Sequence, residues 1–476
     1  MKSSFGHIVV VKKSLLVAFA LVCAACAVAA ESPKSVILFI GDGMSTPQRM
    51  TANEFSLKRG DGDLAMNRLP HQATTRTCSA DSLITDSAAA ATAIACGEKT
   101  RNHSVGVDAK GRRLESVAEV AHKAGKSVGI VTTVTINHAT PAGFYGHRKG
   151  RGEGYGLGFD LLASDFEYFA GGGLDKHDDK GASIYKGDIY DLAKAAGYTL
   201  IRRDRAAFDA LQPGAGKVWF VATEGAMPDA IDAGAWQGVP TLAELTAKGL
   251  ELLSADPDGF FMMVESGRID WAGHANDAAT NLREVLALDD AVKVALEFQK
   301  THPDVLVVVT GDHETGGMTM GFADTGYAFY MDRLAHQTCS ANRLGDHIAK
   351  NHPQTFDALK PFLAENFGFD FTTRDTRQNP MAITAAEESE LKKAFSHDLA
   401  LAKKGVKDDA AYDATKVTRL PTAVKAIFSH KCGIAWTSGA HTALPVITTA
   451  QGPGASSFAG FIDNTDISKI LKGFMK

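Results

Sequence analysis

Four short runs along the chain are apolar without polar alternation: residues 36–40 (Val-Ile-Leu-Phe-Ile), 127–133 (Ser-Val-Gly-Ile-Val-Thr-Thr), 260–264 (Phe-Phe-Met-Met-Val) and 305–310 (Val-Leu-Val-Val-Val-Thr). A strand with one solvated face alternates, whereas a strand covered on both faces does not, so these runs predict the centre of a mostly parallel sheet. Helical spacing lies between them, over 114–123, over 241–253, and after Asp277, where Leu282, Val285, Leu286, Val292 and Leu296 share a face and Asp277 is the expected N-cap. Alternating strands and helices give a three-layer α/β/α fold, in which sites gather beyond the carboxyl ends of the strands. Residues 321–431 break the rhythm and are expected to form an insertion on the same domain. Within it a helix should open at Thr384 with Glu387 as a capping box and Leu391, Phe395 and Leu399 on one face. No repeat, low-complexity tract or long polar linker divides residues 31–476, which predicts one large domain.

The N-terminus stands apart from this pattern. Lys12 and Lys13 precede an apolar run over 15–30 that ends in small residues before Glu31. The run is shorter than the roughly 20 residues of a spanning helix, so residues 1–30 read as a signal peptide, with small residues at Ala27-Val28-Ala29 or Val28-Ala29-Ala30 for cleavage. Lipidation at Cys26 competes with cleavage, but Cys23 stands where such a signal carries a branched apolar residue. The expectation is therefore an exported protein, periplasmic or extracellular, without a membrane span.

Composition narrows the function classes. With 45% hydrophobic and 22% charged residues the chain is ordinary globular protein. A formal charge of -5 leaves no basic field for nucleic acid or acidic lipid, so a phosphate-bearing ligand must be held locally. Four cysteines follow the leader, Cys78, Cys96, Cys339 and Cys432, and both two disulfides and buried free thiols remain open for them. The glycine-rich segments at 150–158 and 171–173 fit neither the dinucleotide nor the Walker spacing.

The chemistry concentrates at strand ends. Gly41-Asp42-Gly43 follows the first buried run, and Gly311-Asp312-His313-Glu314-Thr315-Gly316-Gly317 follows another. The run at 260–264 leads into Glu265, then Asp270 and His274, which one helical turn would place on a common face. His441 lies between small residues near the C-terminus and in isolation reads as a core histidine. Any one of these could be a turn acid or a surface pair, but glycine-flanked acids and histidines at three buried strand ends together predict a polynuclear metal site. In Asp86-Ser87-Ala88, Ser87 is either the N-cap of an alanine-rich helix or a nucleophile placed where free amides and the helix dipole favour an anion.

Taken together and in this order, the clusters resemble the alkaline phosphatase family, across nearly all of residues 31–476. The resemblance implies a metal-dependent phosphomonoesterase of small-molecule phosphate monoesters that works through a phosphoserine on Ser87. It implies two Zn2+ and one Mg2+ per chain: Asp270, His274 and His441 on one zinc, Asp42, Asp312 and His313 on the other, and Asp42, Thr140 and Glu265 on magnesium. It places the phosphate-binding arginine eleven residues beyond Thr140, at Arg151, with Arg148 as the fallback, and it implies a homodimer. His138 and Trp271 occupy positions that hold aspartate and lysine in the best-known enterobacterial members, which implies altered magnesium affinity and weaker phosphate retention.

Three rivals follow. Ser45-Thr46-Pro47-Gln48-Arg49 matches the C/S-x-P-x-R pattern of sulfatases, but it lies too close to Asp42, and Ser87 occupies the expected place. A phosphodiesterase of the same superfamily would share the two-metal core, yet Thr140 and Glu265 mark the third site of monoesterases. A secreted metal- or phosphate-binding protein without turnover would not need Ser87 and Arg151.

Overall fold

The structure, a computed structural model, describes residues 32–323, 325–351, 353–402 and 418–476. The signal peptide expected over 1–30 lies outside the described residues. Among the described residues fourteen strands are formed: β1 (Ser35–Gly41), β2 (His71–Arg76), β3 (Ser127–Thr135), β4 (Tyr168–Gly172), β5 (Thr199–Arg202), β6 (Val218–Thr223), β7 (Phe260–Ser266), β8 (Val305–Gly311), β9 (Glu314–Thr315), β10 (Met318–Met320), β11 (Ile434–Trp436), β12 (His441–Thr442), β13 (Val446–Gln451) and β14 (Gly460–Asp463). Ten of them make one sheet in the order β14-β2-β13-β8-β1-β7-β3-β4-β6-β5. The pairs are parallel except those of β13, which runs antiparallel to both β8 and β2.

The unbroken apolar runs occupy the middle of this sheet because both faces are covered. Along β1, Ile37 and Phe39 enter the hydrophobic cluster on one face, and Val36, Leu38 and Ile40 enter the cluster on the other. Truncating a residue such as Phe39 to alanine would cost about 3–5 kcal/mol, by loss of transfer energy and creation of a cavity. The same face as Ile37 and Phe39 includes Leu334, Phe367, Leu391, Phe395 and Phe428, so the described residues of 321–431 contribute to the main core.

Register sets up the site. Gly41 of β1 lies opposite Ser266 of β7 and Gly311 of β8, and Ile40 lies opposite Glu265. Glu265 also lies opposite Thr132 of β3. The acids that follow or end these strands therefore emerge at one level on one edge.

The helices start where capping chemistry puts them. Asp277 caps the helix Ala278–Gln299, and the box between Thr384 and Glu387 opens Ala385–Ala402, as expected. The helix expected over 114–123 begins later, at Val117, because Ser116 and Glu119 form a capping box while the Leu114 amide is drawn off to the Gly106 carbonyl. Cys78, Cys96, Cys339 and Cys432 are all free thiols, three of them buried, so of the two readings left open the fold uses the one without bridges. No helix among the described residues is long and apolar enough to cross a membrane.

Candidate active site

Ser87 is the first residue of the buried helix Ser87–Cys96, and the cap is Asp86, whose carboxylate accepts the Ala89 amide at 3.0 Å. The reading of Ser87 as a mere N-cap is thereby corrected: its hydroxyl is free to face the strand ends. It lies 3.2 Å from Nε2 of His313 and 3.5 Å from Oδ1 of Asp42. The alanines behind it let the helix pack tightly, which fixes the hydroxyl on a rigid element.

Three groups of ligand-type atoms, each within 4.8 Å of one another, converge around this hydroxyl: Asp270, His313 and His441; Asp42, Asp312 and His313; and Asp42, His138 and Glu265. His274 adjoins the first group, with Nε2 3.1 Å from Nε2 of His441 and 3.4 Å from Oδ2 of Asp270. Thr140 donates to Oδ2 of Asp42 at 3.1 Å, beside the third group. Every expected ligand thus comes to one edge of the sheet. Sequence reasoning treated His138 as a neighbour of the third group, whereas the structure brings a ring nitrogen within ligand distance of Asp42 and Glu265.

Close packing of these elements depends on glycine. At Gly43 the backbone has φ 75°, and a side chain there would meet the Asp270 backbone at 2.8 Å.

The electrostatics follow from burying so many acids together. Burial, reinforced by Asp312, Asp270 and Glu265, pushes the Asp42 carboxyl well above its ordinary range. Burial likewise pushes Asp312 up to about 7 and Glu265 up to about 8. Asp270 is buried too, but hydrogen bonding to His441 and the neighbouring histidines outweigh burial and hold it low. Burial, with Arg151 nearby, drives His138 down to about 3, so its ring is neutral and able to bind a cation. Oδ2 of Asp312, Oε1 of Glu265 and Nδ1 of His138 are buried without a hydrogen-bond partner. Unpartnered carboxylate oxygens beside imidazole nitrogens are the donor set of divalent cations, oxygen with nitrogen for zinc and oxygen-rich for magnesium.

Arg151 closes the site from the loop before the helix Gly154–Ser164. Its guanidinium donates to Oδ2 of Asp86 and contacts Nε2 of His138, both at 3.1 Å. Arg148 is spoken for, bonded to Asp160 and to the Gly156 carbonyl, so the fallback assignment is set aside. Arg49 of the sulfatase-like pattern is buried elsewhere, where it donates to the Met66 carbonyl and, at 3.0 Å, to Oγ1 of Thr449.

Several supporting residues escaped sequence reasoning. Thr315 donates to Oδ1 of Asp270 at 2.5 Å and lies 3.2 Å from Nδ1 of His313, and Thr132 donates to Glu265. Glu314 accepts from Gln48, from the Gly317 and Met318 amides and from Thr442, which ties the turn after β8 to the strand that carries His441. Thr315 and Glu314 stand inside the motif run itself, but only folding shows which neighbour each one holds.

A family sequence model described as alkaline phosphatase matches residues 33–155 and 174–476, that is, both β1 with Asp42 and the stretch that ends beyond His441. The chain belongs to the alkaline phosphatase family. It is 32% identical over 446 residues to alkaline phosphatase 3 of Bacillus subtilis, covering 92% of this chain and 87% of the relative. It is 29% identical to the repressible alkaline phosphatase of Saccharomyces cerevisiae, over 94% of this chain and 82% of that one. Among solved structures, the cold-active alkaline phosphatase of a psychrophilic Shewanella sp. superposes with a TM-score of 0.78 at 29% identity, over 93% of this chain and 100% of that chain. A variant of TAB5 alkaline phosphatase with Mg bound in its M3 site superposes with a TM-score of 0.63 at 25% identity, over 94% and 98%. As a member of this family the chain is a hydrolase of phosphate monoesters. The family match runs through residues 321–431 and leaves a gap at 156–173, after the loop that carries Arg151.

Proposed function

We propose that this alkaline phosphatase transfers the phosphoryl group to Ser87 and then to water, at a centre of two Zn2+ and one Mg2+. The observation that carries this reading is the Ser87 hydroxyl at a helix N-terminus, not used in capping and 3.2 Å from Nε2 of His313, with Arg151 anchored by Asp86 close by. Asp270, His274 and His441 would hold one zinc; Asp42, Asp312 and His313 the other; and Asp42, Thr140 and Glu265, with His138 beside them, magnesium. When bound, these cations would supply Lewis acidity toward the attacking and leaving oxygens and offset the charge of the phosphoryl group.

The residues themselves divide the remaining work. The Ser87 oxygen forms a bond to phosphorus as the bond to the alcohol oxygen breaks, and the alcohol departs. Arg151 presents its fork to two non-bridging oxygens, while amides at the start of the Ser87–Cys96 helix face the same anion. Water then bonds to phosphorus, the link to Ser87 breaks, and inorganic phosphate leaves. Trp271 adds no positive charge beside phosphate, which supports weaker product retention than in a relative with lysine there; Trp271→Lys should tighten competitive inhibition by phosphate.

Hydrolysis of a chromogenic phosphate monoester before and after chelation, and after zinc and magnesium repletion, tests the reading. Loss with chelator, return with metal and a radiolabelled phosphate trapped on Ser87 at low pH support it. Faster turnover of a diester or a sulfate ester would replace it with one of the rival readings, and a fully metallated protein without turnover would leave a binding protein. Export through residues 1–30 and assembly as a homodimer belong to the same proposal. Half-exposed or exposed Leu83, Ile84 and Leu444 beside the site-bearing segments support the second, and light scattering of the mature protein measures it.

A further inference from the structure

Arg268 follows β7 by two residues and is almost completely buried, which requires a partner for its charge. That partner is Asp229, which accepts from Nη2 and whose other oxygen accepts from Asn342 at 3.1 Å. The pair is sealed, with side chains only 10% and 6% exposed. The guanidinium carbon lies 4.9 Å from the centre of the Trp271 ring. Trp271, 37% exposed at the mouth of the site, meets His138 edge to face with centroids 6.1 Å apart. His138 in turn contacts Arg151 at 3.1 Å.

We propose that Arg268 is a positioning residue for phosphate: clamped by Asp229, it holds the Trp271 indole against His138 and, through that ring, the guanidinium of Arg151. This rests on the reading of Arg151 as the phosphate ligand. An exposed indole has two side-chain torsions to lose on ordering, and a cation fixed beneath its face removes that freedom in advance. His138 has a buried Nδ1 without a hydrogen-bond partner, its Nε2 meets Arg151 and its ring meets the indole edge to face, so the ring that orients Arg151 also depends on what orients Trp271. Asn342 extends the dependence to the segment over 321–431, which is tied to the clamp through Asp229.

The test is the competitive inhibition constant of inorganic phosphate, with KM and kcat, for the metal-replete enzyme and for Arg268→Gln, Arg268→Lys, Trp271→Leu and the Arg268→Gln/Trp271→Leu double variant. Arg268→Gln should raise the phosphate constant and KM about fivefold with kcat changed less than about twofold, and Arg268→Lys should recover most of the loss. Trp271→Leu, at a partly exposed position, should give a similar rise without disturbing the buried pair. Adding Arg268→Gln to it should then change the constant by less than about twofold, because the relay is already cut. Equal and independent effects in the two backgrounds, or an unchanged constant in folded Trp271→Leu, overturn the proposal. A wild-type enzyme that phosphate does not inhibit competitively would instead remove the phosphate-site reading beneath it.

Discussion

The hydroxyl of Ser87 and Nε2 of His313 lie 3.2 Å apart although 226 positions separate them in the chain. The pairing exists because Asp86 takes over the capping of the helix, and it leads to a clean expectation for mutagenesis. Ser87→Ala should reduce phosphomonoesterase activity by several orders of magnitude, since the covalent step is lost, while thermal stability changes by less than about 1 kcal/mol because no cap or buried bond within the helix is removed. Zinc stoichiometry measured alongside should stay near the wild-type value. A large fall in melting temperature would show instead that Ser87 is mainly structural.

Chelation should destabilise the fold as well as silence it. Burial, and after it the neighbouring carboxylates Asp312 and Asp270, push the Asp42 and Glu265 carboxyls up, so a bound cation stabilises the native state by offsetting desolvation and repulsion that the unfolded chain does not feel. Differential scanning calorimetry with and without chelator should show a lower Tm in the stripped protein, restored by zinc and magnesium. Equal melting curves would argue against a resident metal centre.

Glu284 offers a pH test away from that centre. It lines a cavity of about 320 Å3 with Trp236, Met227 and Leu242, none of them ligand-type residues of the site, and accepts the Ala230 amide at 2.6 Å. Burial, with Asp229 adding to it, pushes its carboxyl up to about 8. The folded state therefore binds a proton that the unfolded state releases near about 4.3, so this group's contribution to stability is fully present below that value and is lost as pH rises through about 8. Glu284→Gln should accordingly raise Tm more at about pH 8.5 than at about pH 5, because the loss of stability that accumulates between the two pKa values has hardly begun at the lower pH and is nearly complete at the higher. A difference independent of pH would mean that the carboxyl ionises freely.

Arg49 separates the sulfatase reading from the fold. Its guanidinium bonds the Met66 carbonyl and Thr449, which ties the helix Thr46–Arg59 to β13. Arg49→Met should cost about 2–4 kcal/mol in denaturant unfolding, by leaving buried acceptors unpaired. Turnover per folded molecule should hold, and sulfate esters should remain poor substrates of the wild type. Loss of activity in a variant of unchanged stability would revive a catalytic role for that motif.

By itself the sequence determined the centre of the sheet and the types of residue at its edge. Runs such as 305–310 are apolar on both faces whatever surrounds them, capping pairs such as Thr384 and Glu387 act within one turn, and acids set between glycines declare a turn that approaches something closely. The strands β2, β5 and β14 were not legible, because short or partly polar strands owe their pairing to neighbours far away in the chain. Tertiary structure alone decided that Arg148 is consumed by Asp160, that His138 turns toward Asp42 and Glu265, and that Arg268 lies beneath Trp271. Each of those outcomes is a competition between partners whose distances are fixed only when β1, β3, β7 and β8 lock in register, and a linear pattern carries the candidates for that competition but not the distances that settle it.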